Sequence, residues 1–151
     1  MARFVYRMQS VLNIKQQTEN QTKMEFALAQ NELNQQLDIL DEYVQRKERY
    51  IKEAEELRNE TSLKLQDILD NQYATAQMDV MIKQQSLVVK QYEERVEKVR
   101  VKLTRNVQER KMQESLRERA FAEFLEEQKQ EEAKENDQRS SFTYAQRQKE
   151  E

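Results

Sequence analysis

The sequence contains neither glycine nor proline in 151 residues. Tight turns, β-hairpins and phosphate-cradling loops depend on these two residues, because they supply positive or fixed φ angles. Cysteine and histidine are absent as well, so disulfides, zinc–sulfur sites and the commonest general base are excluded. We therefore expect a helical chain that is not an enzyme and that has no catalytic residue, cofactor or metal site.

The balance of polar and apolar residues leaves two possibilities. Charged residues and apolar residues each make up 36% of the chain, and the mean hydropathy is −1.14. Such a chain is either disordered or carries a narrow apolar stripe along extended helices. The periodicity of the apolar residues distinguishes these two cases.

Apolar residues recur at alternating spacings of three and four in both halves of the chain, which is the heptad pattern of coiled coils. In the first half the pattern runs through Leu33, Leu37, Leu40, Val44, Lys47, Ile51, Ala54, Arg58, Thr61, Leu65 and Ile68. In the second half it runs through Met78, Ile82, Gln85, Val89, Tyr92, Val96, Val99 and Leu103. The positions between them are mostly good helix formers, so two long helices are predicted.

The break between the helices is predicted where Asp and Asn cluster and the charge density falls. Residues of this kind favour turns and caps over helix interiors, and Thr75 is a candidate N-cap. The expected organisation is a single elongated domain over 1–151. It has a first helix over about 4–69, a turn over 70–77, a second helix over 78–135 and a frayed tail over 136–151.

Charge distribution predicts how the helices pair. Residues 24–45 hold five acidic and no basic side chains, whereas residues 98–119 hold eight basic and three acidic ones. Folding the chain back about residues 71–72 sets these segments side by side and places Leu40 against Leu103. Many weak ion pairs of one sense select orientation. The predicted fold class is all-α, a long antiparallel two-helix coiled-coil hairpin.

Both ends of the chain are more apolar than this pairing explains. The predicted register places Phe26 against Arg117 and Glu19 against Phe124, so the terminal apolar side chains either shift register or bind another molecule. We interpret them as a candidate partner-binding set: Phe4, Val5, Met8, Val11, Leu12, Phe121, Phe124 and Leu125.

Other classes of partner fit the sequence less well. The net charge of −3 disfavours nucleic acid, and no apolar run is long enough to cross a membrane. A membrane-surface helix remains an alternative for the first 14 residues. Tyr43 and Tyr50 stand beside the heptad positions, where they either broaden the apolar stripe or form an aromatic strip for a partner.

Several ordered motifs resemble those of the FliJ proteins, coiled-coil components of flagellar type III export. The opening resembles theirs in Arg3-Phe4-x-Tyr6-x-Met8-x-x-Val11-Leu12. The second helix is similar in Arg95-Val96-Glu97-x-x-Arg100-x-x-Leu103 and Gln108-Glu109-Arg110-Lys111, and the tail in Glu132-x-Lys134-Glu135-x-Asp137. The stretch Gln36-Leu37-x-x-Leu40-x-x-Tyr43 is similar to one linked in the family to the export gate.

This resemblance implies a non-enzymatic hairpin similar to the stalk of rotary ATPases. It implies that the chain binds and stimulates the hexameric flagellar export ATPase, contacts the export gate protein through Gln36, Leu40 and Tyr43, and assists export chaperones. It also implies a role in motility and chemotaxis, and a cytoplasmic location against the inner face of the cell membrane at the flagellar basal body. The alternatives are the equivalent stalk of a virulence-type injectisome and a generic coiled-coil scaffold.

Overall fold

Two long helices form the protein. The computed structural model describes residues 2–151, of which 91% are helical and none lies in a strand. Helix α1 spans Gln9–Asn59 (51 residues) and helix α2 spans Leu65–Glu150 (86 residues). The two helices pack against each other, which confirms the predicted all-α helical hairpin.

The connection between the helices lies at residues 60–64, so the predicted turn over 70–77 is wrong. Its hydroxyl side chains, Thr61 and Ser62, compete with the backbone for hydrogen bonds and thereby disfavour helix. Arg58 in the last turn of α1 and Asp67 in the first turn of α2 complement the dipoles of the helices that they terminate. Helix α2 begins with a backbone hydrogen bond from Ile68 N to Lys64 O of 3.2 Å.

The polar cluster that suggested a turn serves instead in helix packing. Asn71 is buried within α2, and its side-chain amide donates a hydrogen bond of 2.8 Å to the carbonyl oxygen of Tyr50 in α1. Thr75 is no N-cap, because its hydroxyl donates to the Asn71 carbonyl one helical turn earlier (2.9 Å). An asparagine with a partner across the interface is compatible with a helix interior.

The outer limits of the helices also differ from the prediction. Helix α1 begins at Gln9 rather than near residue 4, after a turn in which Gln9 N donates to Tyr6 O (3.1 Å). Helix α2 continues to Glu150, so the predicted end near 135 and the frayed tail over 136–151 are wrong. The Glu, Lys, Gln and Arg residues of this segment are strong helix formers, which accounts for the extension.

The chain divides into two compact units. Unit 1 comprises the residues up to Asn20 together with Arg105–Glu151, and unit 2 comprises Gln21–Thr104. In each unit a stretch of α1 packs on a stretch of α2. That the whole chain behaves as a single domain stays a prediction.

Cross-helix ion pairs define the register within unit 2. Lys47 contacts Asp79 (2.5 Å), Glu32 contacts Arg95 (3.3 Å) and Glu25 contacts Lys102 (3.1 Å). The members of each pair are almost equally far from residue 63, so the predicted pairing about residues 71–72 is wrong. Heptad layers match in more than one register, and the specific polar contacts distinguish between them.

The packing face of α2 agrees with its predicted heptad, whereas that of α1 is rotated. In α2, Met78 and Val89 are buried at predicted core positions. In α1, the face includes Gln36, Tyr43 and Tyr50, which are half-buried and alternate with residues of the predicted pattern. The predicted core residues that are exposed as a result are Leu37, Val44 and Ile51.

Candidate partner-binding surfaces

Three of the predicted terminal aromatic residues form one cluster in unit 1. The ring of Phe4 meets that of Phe121 edge-on, with centroids 5.1 Å apart at 68°, and meets that of Phe124 at 5.4 Å and 50°. Such geometries are the favourable ones for aromatic pairs. The Arg117 guanidinium lies 5.7 Å from the centroid of the Phe4 ring. The segment before α1 is thus held on α2 by aromatic packing.

Polar contacts hold the same segment. The Tyr6 hydroxyl donates to Gln113 Oε1 (3.2 Å), and Arg117 Nε donates to Gln9 Oε1 (3.0 Å). Residues 4–9 therefore present a defined set of side chains although they precede the helix.

The eight predicted terminal residues differ widely in accessibility. Val5 is 78% exposed and Leu12 only 3%. Leu12 therefore serves packing within unit 1 and is not accessible to a partner. The remaining exposed members are Met8, Phe121 and Leu125, and the half-buried ones are Phe4, Val11 and Phe124.

A charged cluster continues the interface of unit 1. Arg110 Nε donates to the buried carboxylate of Glu19, and Arg110 Nη1 donates to Glu114 Oε2 at 2.8 Å. These two hydrogen bonds, of which the one to Glu19 has the larger effect, raise the pKa of Arg110 above its usual range. Nearby, Lys15 Nζ donates to Glu109 Oε2 at 2.8 Å and lowers the pKa of that carboxyl.

The predicted gate-contact residues lie on the packing face of α1 in unit 2. Gln36, Leu40 and Tyr43 are all half-buried. Gln85 Nε2 donates two hydrogen bonds to Gln36, one to its backbone carbonyl oxygen (3.0 Å) and one to its side-chain Oε1 (2.9 Å). The three residues share one face, as their spacing predicts, but part of their surface is used by α2.

Sequence reasoning missed an exposed apolar stripe on α2. Tyr73, Val80 and Leu87 recur every seven residues and are all exposed. Their regular spacing was the available signal. The packing face of α2 has the same period of seven, so the apolar heptad pattern was assigned to that face alone.

The described part of the chain has neither a metal-binding cluster nor a membrane-spanning helix. Among residues 2–151 no group of three or more metal-binding side chains converges, and no helix there is long and apolar enough to cross a membrane. The surfaces set out above are suited to contacts with other proteins.

An all-helical hairpin with aromatic and apolar surface residues is typical of proteins that act through contacts with other proteins. Residues 4–149 match the family model described as the flagellar FliJ protein. This protein belongs to the FliJ family, whose members are non-catalytic components related to flagellar export. No curated protein and no solved structure matches the chain.

Proposed function

We propose that this protein is a cytoplasmic, non-enzymatic stalk that binds and stimulates the hexameric flagellar export ATPase and couples it to the export gate at the inner face of the membrane. Family membership supports a place in the export apparatus. The observation that carries the ATPase contact is the aromatic cluster of Phe4, Phe121 and Phe124, with exposed Val5 and Met8 beside Phe4 in sequence.

The cluster is suited to such a contact because its rings already pack on one another within the chain. Ordered side chains lose less conformational entropy when a partner binds. Aromatic residues are also enriched among those that dominate binding energies. In this proposal the ring binds the exposed members, whereas Leu12 holds α1 on α2 beneath them.

Coupling requires that the stalk bind two states of the ring with different affinity. A partner shifts a conformational equilibrium only by its difference in binding free energy between the states. The nucleotide chemistry then belongs to the ATPase, and the stalk biases which ring states are populated.

The gate contact is proposed for Gln36, Leu40 and Tyr43. Their shared face supports one contact surface, and their partial burial implies that a gate segment binds along the edge of the helix pair. Gln36→Ala and Tyr43→Ala should weaken binding to the purified cytoplasmic region of the gate protein while circular dichroism shows unchanged helix content. Unchanged binding in both variants would refute this placement. Export chaperones are proposed as further partners on the resemblance alone.

The decisive experiment titrates the protein into the purified export ATPase of the same organism and follows ATP hydrolysis and ring assembly. The test variant is Val5→Glu with Met8→Glu. Its matched control is Met24→Glu with Leu28→Glu, which changes two exposed apolar residues in unit 2. We expect the half-maximal concentration to rise at least about tenfold, or about 1.4 kcal/mol, in the test variant alone.

Each other outcome has a definite meaning. Stimulation that survives in the test variant would keep the function but refute the contact site. Equal losses in both variants would indicate a general response to charge. A folded protein that has no effect on the ATPase would favour the generic scaffold.

A further inference from the structure

Helix α2 has an outward face in unit 1, on the side opposite to α1. Gln108, Ser115 and Ala122 lie at its centre, because each follows a packing residue by two positions, a rotation of about 200° around a helix. These packing residues are Asn106, which is buried, and Gln113 and Ala120, which are half-buried. The exposed positions beside the centre are Thr104, Arg105, Lys111, Met112, Glu118 and Arg119.

The outward face continues beyond the part of α2 that α1 covers. Every residue from 129 to 151 is exposed, and α2 runs without a break to Glu150. Past Ala122 the outward positions, all of them exposed, are Leu125, Glu126, Lys129, Glu132, Ala133 and Asn136. A single surface therefore extends from the helix pair into the uncovered end of α2.

The charge of the outward face changes sign along the helix. Between residues 104 and 122 it carries three basic side chains and one acidic one, Glu118. Between residues 123 and 136 it carries two acidic side chains, Glu126 and Glu132, and one basic one, Lys129. The basic residues of the first stretch are Arg105, Lys111 and Arg119. The two stretches are thus complementary to each other.

The outward charges are not used within the chain. Among residues 2–151 the ion pairs of unit 1 lie on the packing side, and they engage Lys15, Glu19, Glu109, Arg110 and Glu114. The stretch of α1 in this unit holds a single acidic residue, Glu19, which is buried. Nor can α2 pair with itself, because a continuous helix keeps Lys111 and Glu132 about 32 Å apart.

We propose that a second copy of the chain binds the outward face of α2 in an antiparallel two-fold dimer centred at Ala122. Such a contact uses the same surface on both copies. Lys111 of one copy then lies opposite Glu132 of the other, and Arg119 opposite Glu126, because the members of each pair are almost equally far from Ala122. Each pair occurs twice, so four ion pairs select orientation and register together.

The remaining outward residues fit the same register. Met112 lies opposite Ala133, which joins two apolar side chains across the contact, and Ala122 lets the helices approach closely at the two-fold axis. Glu118 comes within three positions of Lys129, about 4.5 Å along the helix. All three acidic residues of the outward face therefore have a basic residue opposite them.

Other arrangements fit less well. A parallel dimer sets every charge against its own copy, and like charges in an interface oppose association. A two-fold axis at Ser115 pairs Lys111 with Glu118 but leaves Glu132 without a basic residue of unit 1 opposite it. An unrelated partner would have to reproduce the whole alternation of charge, which a second copy supplies by symmetry.

A cysteine scan tests the position of the two-fold axis, since the chain contains no cysteine of its own. Ala122→Cys should give a disulfide-linked dimer under mild oxidation, because two cysteines at the axis meet the Cα separation of about 7 Å or less that a disulfide needs. The matched variant Ser115→Cys should stay monomeric on denaturing gels, because its two copies lie about 21 Å apart along the axis. Cross-linking of Ser115→Cys in place of Ala122→Cys, or of neither, would overturn the proposal.

Charge reversal tests the partner and its orientation on the protein alone. Sedimentation equilibrium at up to about 100 μM should show a monomer–dimer equilibrium. Lys111→Glu and Glu132→Lys should each raise the dissociation constant at least about tenfold, and the double variant should restore it to within about threefold. Lys52→Glu, the same charge change at an exposed position of α1 in unit 2, should leave it unchanged.

The alternatives give different results. Restoration of Lys111→Glu by Glu118→Lys and not by Glu132→Lys would place the axis at Ser115 and refute the register. A dimer that does not respond to Lys111→Glu, or a chain that stays monomeric while circular dichroism shows it folded, would refute the self-contact. None of these measurements involves the ATPase, so their failure leaves the proposed stalk function to its own test.

Discussion

Unit 1 and unit 2 use the same heptad geometry but hold their helices together by different means. In unit 2 the buried residues include Ala29, Leu33, Met78 and Val89, and the cross-helix ion pairs are partly exposed. In unit 1 the buried residues include one aliphatic side chain, Leu12, and one carboxylate, that of Glu19, which receives a hydrogen bond from Arg110.

This difference determines how each unit responds to substitutions and to salt. An apolar layer loses stability in proportion to the volume removed, and ionic strength affects it little. A buried carboxylate depends on its hydrogen-bond donors, because loss of a donor leaves its charge less well compensated. Aromatic packing of Phe4 on Phe121 and Phe124 adds an apolar contribution at the end of unit 1.

The largest effect is expected in the apolar layers of unit 2. Met78→Ala removes a side chain that is 3% exposed, and it should lower the free energy of unfolding by about 2–5 kcal/mol. The matched control Met112→Ala changes an exposed methionine of the same helix and should stay within about 0.5 kcal/mol. Urea titration followed at 222 nm measures both. Similar values for the two variants would show that Met78 is not a core residue.

Arg110→Met should weaken unit 1 by a smaller amount. The change leaves the buried Glu19 carboxylate without its guanidinium, but the partial exposure of Arg110 lets water screen the loss. The control is Arg100→Met, because the partner of Arg100, Glu97, is exposed and lies in the same helix. Hydrogen exchange should quicken in residues 9–20 for Arg110→Met only.

Salt sharpens this comparison further. Raising the salt to about 1 M shortens the screening length to about 3 Å. The difference in unfolding free energy between wild type and Arg110→Met should therefore become smaller. The loss of unfolding free energy caused by Met78→Ala should be unchanged in the same buffer. If salt narrowed both differences equally, the distinction between the two units would not hold.

Sequence reasoning predicted the two helices and the packing face of α2 because α2 carries one unambiguous heptad. It could not determine which face of α1 packs on α2. Leu33 and Leu40 belong to either face, and the second set of packing residues is either Leu37 and Val44 or Gln36 and Tyr43. Only the surface of α2 decides between these alternatives. The Gln36–Gln85 hydrogen bonds show that the chosen face includes a polar layer.

The loop was misplaced for a related reason. Asn71 looks like a turn residue in sequence, and only its contact with the Tyr50 carbonyl explains its place inside a helix. The error moved the register and with it the predicted neighbour of Phe124, which was Glu19 and is Phe4 in the structure. The members of the terminal set were identifiable from sequence, but the contacts between them were not.

The smallest predicted effect concerns the Lys15–Glu109 pair of unit 1. The hydrogen bond from Lys15 lowers the pKa of Glu109 below its ordinary value of 4.5, with a further contribution from the charge of Arg105. A carboxyl whose pKa is lower in the folded state stabilises that state above its unfolded pKa, and the contribution is lost as the pH falls through the folded pKa. Lys15→Met should therefore raise the titration midpoint of Glu109 and flatten the acid dependence of stability below about pH 4.5.

A carboxyl NMR titration measures this midpoint directly and supplies its own control. The pKa of Glu97 is also lowered, but by Arg100 of the same helix in unit 2, so Lys15→Met should leave the midpoint of Glu97 where it is. A shift of Glu109 alone would show that a cross-helix contact tunes a carboxyl in unit 1, whereas a contact within one helix does so in unit 2. If the titration midpoint of Glu109 did not move, the contact with Lys15 would not affect the pKa of Glu109 in solution. The polar character of unit 1 would then rest on Arg110 and Glu19.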